Sequence, residues 1–111
     1  MKAKAALPHD VELLRTALLY LETRQVSPRA TVIIDLREDA ADLAYDERTL
    51  EDGLNLLLDL DYIEGPGPDA TGFWLFRKLT RKGLEFVRAT RDPADWTRMK
   101  KHRGVGAIPA R

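Results

Sequence analysis

The stretch from Gly65 to Trp96 constrains the fold more than any other part of this 111-residue chain. Its glycine- and proline-rich segment, the eight residues 65–72, predicts a turn, and the aromatic run Phe73-Trp74-Leu75-Phe76 predicts a strand. The strand continues to Leu79 and leads into a basic helix after Thr80, a favourable N-cap residue. We therefore expect a hairpin with a long tip that runs directly into a helix.

Local side chains are expected to fix the junction between this strand and the helix. Leu79 precedes the N-cap and can pack on Leu84, four positions into the helix, as a hydrophobic staple. Leu84, Phe86 and Val87 are predicted to face the core, and the arginines and lysines of the same helix are predicted to face outward.

Further helices and strands are predicted on both sides of the hairpin. Apolar residues at helical spacing indicate helices over residues 8–24 and 46–60. Short strands are predicted over residues 31–36 and 62–64. Asp92-Pro93 is typical of a helix start and predicts a last helix.

Three local points remain open in the sequence. Asp46 and Thr49 are both able to cap the helix that follows. Gly53, in the middle of that helix, indicates either close helix packing or a tolerated cost of about 1 kcal/mol. The acidic residues 37–45 have little apolar surface to bury, so a loop or one weak helical turn is predicted there.

The net charge of zero conceals opposite charges along the chain. Residues 1–37 carry +2, residues 38–70 carry −10 and residues 77–111 carry +8, counted from the lysines, arginines, aspartates and glutamates. Such an arrangement is typical of two oppositely charged faces, of a self-association surface, or of solvated exteriors.

The length favours one domain, residues 8–103, between a flexible N-terminus at 1–7 and a flexible tail at 104–111. No apolar run approaches the roughly 18 residues of a membrane span, and no signal-peptide core follows the basic start. Cysteine is absent, which excludes disulfides and thiolate metal sites. A cytoplasmic protein without a membrane partner is predicted.

Catalytic and metal-binding patterns are lacking. Ser27 is the only serine and lies beside Pro28 in a predicted turn, without a histidine near it in sequence. His9 and His102 lie near opposite ends of the chain and have no companion at metal-ligand spacing. We predict a non-enzymatic protein with no metal site and no cofactor.

The C-terminal third carries a more specific pattern. Leu79-Thr80-x-x-Gly83-x-x-Phe86, followed in register by Arg91-Asp92 and Trp96, resembles an uncharacterised family of bacterial chromosomes and phages, classed as a domain of unknown function. Members of that family close with the pattern L-T-x-x-G-x-x-F-x-x-x-x-R-D-x-x-x-W. The resemblance extends over residues 8–103, and this chain departs from the family in its longer acidic segment, residues 37–46.

The resemblance and the order of predicted elements imply an α+β fold. It is a winged helix-turn-helix with a small antiparallel sheet and extra C-terminal helices, in which the long hairpin tip is the wing. By analogy with DNA-binding winged helices, the resemblance implies a regulatory or accessory DNA-binding module.

Duplex DNA is thus the first partner to consider, although the helix in the recognition position, residues 47–59, is acidic and would repel phosphate. The positive charge lies farther along the chain, with Arg29 and Arg37 as additional contacts. The predicted nucleic-acid-binding residues are Arg77, Lys78, Arg81, Lys82, Arg88, Arg91, Lys100, Lys101, Arg103 and Arg48.

The alternative is a protein-interaction or homodimerisation module that does not bind DNA. The acidic face of one copy could meet the basic face of another, or of a different partner. Trp74 and Phe76 are the candidate contact residues. They alternate with Phe73 and Leu75 along the strand, and at least one of these pairs is expected in the core.

Overall fold

A computed structural model describes residues 7–103, with side chains from Val11 to Arg98. The described chain is α+β, with a small antiparallel sheet. Its elements are α1 (Leu7–Arg24), β1 (Val32–Asp35), α2 (Leu36–Leu43), α3 (Glu47–Asp59), β2 (Ile63–Glu64), β3 (Gly67–Pro68), β4 (Phe73–Phe76), β5 (Lys78–Leu79), α4 (Arg81–Thr90) and α5 (Pro93–Arg103). The predicted tails at 1–6 and 104–111 lie outside the described residues.

The strands form one sheet of order β1-β4-β3 and a separate pair, β2 with β5, all antiparallel. The prediction of a turn over the whole of residues 65–72 is wrong, because Gly67 and Pro68 form a short strand that pairs with Leu75 and Trp74. Asp69 N–H donates to the carbonyl of Phe73, 3.2 Å away. Bonded and non-bonded pairs alternate in such a ladder, so Pro68 occupies a non-bonded position where its missing N–H costs nothing.

The core lies between α1, α3, α4 and the inner face of the sheet. Its largest fully buried side chains include Trp74, Tyr62, Phe76 and Phe86. Helix α1 contributes Leu14, Leu18 and Leu21, which are buried and are among the apolar residues at helical spacing that predict this helix.

The acidic segment after β1 is a helix, α2, and the prediction of a loop or a single turn is wrong. Asp35 caps it, since its Oδ1 accepts from the N–H groups of Arg37 and Glu38. Ala44, in the left-handed conformation, ends it. Leu36 and Ala40 are buried, so apolar surface is present at helical spacing.

Asp39 fixes α2 to the rest of the molecule. It is buried although it is charged. Its carboxylate accepts from the Tyr20 hydroxyl, from Arg24 Nη1 at 2.9 Å and from Asp35 N–H at 2.9 Å. A buried carboxylate is stable only with such partners. The acidic sequence therefore folds as a helix because one of its acids is bonded on the inner side.

Helix α3 begins after Asp46, whose side chain accepts from Thr49 N–H at 2.8 Å. Asp46, and not Thr49, is therefore the cap. Gly53 is buried, and a β-carbon there would lie 2.8 Å from Leu13 Cδ2. Of the two interpretations of Gly53, close packing against α1 is the one that the structure favours.

Helix α4 is rotated from the predicted orientation. Its buried residues are Gly83, Phe86, Val87 and Thr90, and Leu84 is 37% exposed. At Gly83 the helix approaches the backbone of Tyr62 so closely that a β-carbon would clash with its carbonyl oxygen. This approach turns Gly83 inward and Leu84 outward, so the prediction that Leu84 faces the core is wrong.

Candidate functional site

Basic side chains meet an apolar surface in one groove, between the loop after α1 and the outer face of α4. We call it the basic groove. Its volume is about 490 Å³, and its walls are Gln25, Pro28, Lys78, Arg81, Leu84 and Arg88. Buried Leu79 contributes to its lining, and Glu85 is the acidic residue at its edge. The groove thus offers three cations, one anion and an exposed leucine to a ligand.

The N-cap of α4 sets one wall of the groove. Thr80 Oγ1 accepts from Gly83 N–H at 3.1 Å and donates to the carbonyl of Asp61 at 2.6 Å. Arg81, Leu84 and Arg88 follow at spacings of three, four and seven residues, which are those of one helix face. The start of α4 therefore determines which side chains line the groove.

The opposite wall is held by a hydrogen bond between the loop and β5. Leu79 N–H donates to Gln25 Oε1 at 3.1 Å. Ser27 Oγ accepts from the N–H groups of Arg29 and Ala30, which closes the turn beyond it. These hydrogen bonds from backbone N–H groups to the side chains of Gln25 and Ser27 hold the groove in shape without a ligand.

The charges of the groove are weakly compensated. Arg81 and Glu85 lie 3.9 Å apart, and their side chains are 90% and 62% exposed, so their attraction is weak. Within the described side chains, Lys78 and Arg88 form no ion pair. Lys78 stands opposite Glu64 in the β2–β5 ladder. An anionic ligand would thus meet two exposed arginines, Arg81 and Arg88, and the half-buried Lys78.

Two of the predicted nucleic-acid-binding residues are engaged in the fold. Lys82 Nζ donates to the carbonyl of Leu60 at 3.0 Å, at the end of α3, and lies 5.1 Å from the ring centroid of Tyr62. Arg91 Nη2 lies 2.9 Å from Glu22 Oε2, and this hydrogen bond raises the pKa of Arg91. Both cations tie elements together.

The other predicted basic residues either lie away from the groove or have side chains outside the described part of the chain. Arg48 is exposed on α3, and Arg77 is half-buried in the break between β4 and β5. The side chains of Lys100, Lys101 and Arg103, on α5, lie outside the described part of the chain, as do those of His9 and His102. Of the seven whose side chains are described, Lys78, Arg81 and Arg88 line the groove.

Trp74 and Phe76 are fully buried, so their prediction as surface contact residues is wrong. Side chains alternate across a strand, and β4 turns these two inward, whereas Phe73 is 41% exposed and Leu75 is half-buried. Trp74 Nε1 donates to Asn55 Oδ1 at 2.9 Å. This bond also engages the amide of Asn55, on α3.

The end of α4 is fixed by α1. Arg15 Nε donates to the carbonyl of Thr90 at 2.8 Å, and Arg15 Cζ lies 5.5 Å from the ring centroid of Trp96. Trp96 is buried edge-on against Phe86, and its Nε1 lies 3.3 Å from both carboxylate oxygens of Glu12. These contacts dock α5 on α1.

The residues that carry the family resemblance thus have structural roles in this chain. Thr80 caps α4, Gly83 allows close packing, and Phe86 and Trp96 are core residues. Asp92 Oδ1 accepts from Ala94 N–H at 2.8 Å, at the start of α5. The pattern describes how α4 and α5 are attached, and it does not by itself mark a binding site.

The surface of α2 and α3 is predominantly acidic. Its exposed acids are Glu38, Asp42, Glu47, Asp52 and Asp59. Arg37 Nε lies 3.7 Å from Glu47 Oε2, which offsets one of the few positive charges there. Phosphate groups would be repelled by this surface.

Sequence reasoning missed Gln25, Pro28 and Leu84 as groove residues. The first two meet α4 only through the tertiary contact of the loop with β5, which no local pattern encodes. The spacing of Arg81, Leu84 and Arg88 could have indicated a shared face, had Leu84 not been assigned to the core.

The described residues contain no helix that is long and apolar enough to cross a membrane. Among the same residues, no three histidine, cysteine, aspartate or glutamate side chains gather as a metal site would require. Comparisons with protein-family models, with curated proteins and with solved structures returned no match. The family resemblance stays a prediction from the sequence.

Proposed function

We propose that this chain is a non-enzymatic winged-helix domain that binds an acidic segment of a partner protein in the basic groove. The observation that carries the proposal is the combination of Lys78, Arg81 and Arg88 with an exposed apolar residue, Leu84, in one concave site. A ligand with carboxylates beside an apolar anchor satisfies both features.

The winged-helix part of the proposal rests on element order and strand pairing. A helix, a strand and two helices precede a hairpin, and β1 pairs with the returning arm of that hairpin, β4. In such a domain α3 would be the recognition helix and residues 65–72 would form the wing.

The charge of α3 argues against reading of DNA by that helix. Glu47, Asp52 and Asp59 are exposed on it, and Arg48 is its one cation. Asn55, the remaining candidate for base contacts, is bonded to Trp74. A major-groove helix needs polar and cationic side chains free to reach bases and phosphates, and this one is poorly equipped for either.

The shape of the basic groove favours a peptide over a duplex. A duplex presents a row of phosphates, which lysine and arginine side chains bind without any apolar contact. Leu79 and Pro28 line this groove together with the exposed Leu84, and they would gain nothing from phosphate. An apolar side chain of a peptide would bury against them at about 25 cal/mol per Å² of apolar surface.

Duplex DNA remains the second candidate, because Lys78, Arg81 and Arg88 share one side of the molecule and exposed Arg29 lies in the loop beside it. Contacts of that kind would be to phosphates and largely independent of sequence. They would also be independent of Leu84, and this difference separates the two candidates.

The test is selection of a displayed random peptide library on the chain, followed by fluorescence anisotropy with a selected peptide. We expect the selected peptides to combine aspartate or glutamate with a large apolar residue. Arg81→Glu and Arg88→Glu should each weaken binding by about tenfold, equivalent to 1.4 kcal/mol. Leu84→Ser should weaken binding as well. The matched control is Arg48→Glu, a charge reversal at an exposed position of α3, which should leave binding unchanged.

The same variants are then measured with a generic duplex at low salt. Duplex binding that falls with Arg81→Glu and Arg88→Glu but is unchanged by Leu84→Ser, without any peptide that depends on Leu84, would support the DNA candidate instead. Peptides whose binding is insensitive to all three groove substitutions would remove the groove from the proposal.

A further inference from the structure

The start of β4 carries an exposed aromatic residue between two acids. Phe73 is the first residue of this strand and is 41% exposed. Asp35 of β1 stands opposite it on one side, and Asp69 on the other side donates its N–H to the carbonyl of Phe73 at 3.2 Å. Exposed Glu38 lines a cavity of about 380 Å³ together with Phe73 and Asp35. We call Phe73 and these three acids the Phe73 cluster.

The carboxylates of the Phe73 cluster have no cationic partner. Among the side chains that the structure describes, Asp35, Glu38 and Asp69 form no ion pair. Asp35 Oδ1 accepts instead from backbone N–H groups at the start of α2. Arg37 lines the same cavity, but it lies 3.7 Å from Glu47, which balances its charge. The cluster therefore presents negative charge around an apolar ring.

The cluster and the basic groove match in order and in spacing. Asp35 and Asp69 lie on the strands on either side of β4, so two strand spacings of about 4.8 Å separate them, about 10 Å in all. Arg81 and Arg88 are seven residues apart on α4, which is also about 10 Å at a rise of about 1.5 Å per residue. The aromatic residue lies between the two aspartates, and the exposed leucine of the groove lies between the two arginines. Each charge of one row thus has an opposite charge in the other.

We propose that the partner bound in the basic groove is a second copy of this chain, which contributes its Phe73 cluster. The carboxylates of one copy lie against Lys78, Arg81 and Arg88 of the next, and Phe73 buries its exposed surface against Leu84. The occupant is a second copy because the chain itself carries carboxylates beside an apolar anchor, the ligand that the groove fits. The inference rests on the proposed function, since it names the partner of the same site.

A chain does not fill its own groove with its own cluster. Phe73 begins β4, and Lys78, on the wall of the groove, follows the end of the same strand, up to about 17 Å of extended chain away. Strand β4 is paired on both sides, which holds these two ends apart. The contact therefore joins different surfaces of two copies, in a head-to-tail arrangement.

Sedimentation equilibrium on the natural chain tests for this association. We expect self-association at low salt that weakens at high salt, because salt screens the opposed charges. Arg88→Glu in the groove and Asp69→Lys in the cluster should each weaken it by about tenfold or more. Asp52→Lys, a charge reversal at an exposed position of α3, is the matched control and should leave association unchanged.

Mixing two defective variants shows whether the cluster of one copy enters the groove of another. Leu84→Ser keeps an intact cluster, and Phe73→Ser keeps an intact groove, while neither substitution alters the net charge. Each variant alone should associate about tenfold more weakly than the natural chain, and the mixture should form a one-to-one complex with the affinity of the natural contact. Circular dichroism checks that both variants are folded.

A mixture that associates no better than either variant alone would overturn the inference, and so would a natural chain that is monomeric throughout the accessible concentration range. In that case, acidic peptides that still bind in the groove and depend on Leu84 would leave the proposed function standing. The failure of such peptides, together with a monomeric chain, would remove both.

Discussion

The carbonyl oxygen of Tyr62 lies where a side chain on Gly83 would have to go. This close approach joins the start of α4 to the residue before β2, and the same carbonyl accepts from Thr80 N–H at 3.0 Å. It sets the rotation of α4, and with it the outward position of Leu84 and the composition of the basic groove.

Substitution of Gly83 by alanine should therefore destabilise the chain, although alanine is the better helix former by about 1 kcal/mol. Overpacking against fixed backbone costs about 1–3 kcal/mol, and urea denaturation measures the loss. Gly53→Ala is the control, because the nearest atom there belongs to the flexible Leu13 side chain, which can shift. A loss at Gly53 as large as that at Gly83 would contradict the explanation.

Among the acidic residues of α2, Asp39 should contribute most to the free energy of unfolding. Asp39→Ala removes the acceptor for Tyr20, Arg24 and Asp35 N–H, and such a loss costs about 1–3 kcal/mol. Asp42, exposed in the same helix, is the control, and Asp42→Ala should stay within about 0.5 kcal/mol of the natural chain. Chemical denaturation compares the two, and similar losses would show that α2 is not held through Asp39.

The free energy of unfolding should fall at alkaline pH because of Tyr20. Burial raises the pKa of Tyr20, and the hydrogen bond to Asp39 raises it further. Because its pKa is raised in the folded state, protonated Tyr20 adds to the free energy of unfolding. This stabilisation is complete below the ordinary tyrosine pKa of about 10, and it is lost as the pH rises through the pKa that Tyr20 has in the folded protein. The free energy of unfolding of the natural chain should thus fall in this range relative to that of Tyr20→Phe. A constant difference between the two proteins would argue against the shift.

Substitutions of Lys82 and Arg88 should have opposite effects, because Lys82 stabilises the fold and Arg88 contacts the ligand. Lys82→Met removes the bond to the Leu60 carbonyl and should cost about 1 kcal/mol of stability while leaving peptide binding unchanged. Arg88→Met should weaken peptide binding and leave the free energy of unfolding within about 0.5 kcal/mol of that of the natural chain. Thermal unfolding and anisotropy on both variants check this, and a loss of binding with Lys82→Met would shift the site toward the end of α3.

Much of the fold can be predicted from local sequence. Pro8, Thr80 and Asp92 mark helix starts that lie within one residue of those observed, because caps are local chemistry. For α3 the sequence offers two caps, Asp46 and Thr49, and the structure uses Asp46. The helical spacing of the leucines predicts the buried side of α1, and the aromatic run predicts β4.

What the sequence left undecided depends on contacts between distant residues. Asp39 is indistinguishable from the exposed acids around it until Tyr20 and Arg24 are brought beside it. The inward side of β4 cannot be chosen from Phe73-Trp74-Leu75-Phe76, since both faces are apolar. The basic groove could not be predicted either, because it depends on the hydrogen bond between Gln25 and Leu79, which are 54 positions apart in the sequence.

An NMR titration of the isotope-labelled chain with a selected acidic peptide shows which residues contact the peptide. We predict that the amide resonances of Gln25, Leu79, Leu84 and Glu85 shift in proportion to peptide bound, and that those of Glu47–Asp59 do not. Shifts concentrated on α3 and the hairpin tip at residues 65–72, with the groove amides unmoved, would show that the peptide does not bind in the basic groove.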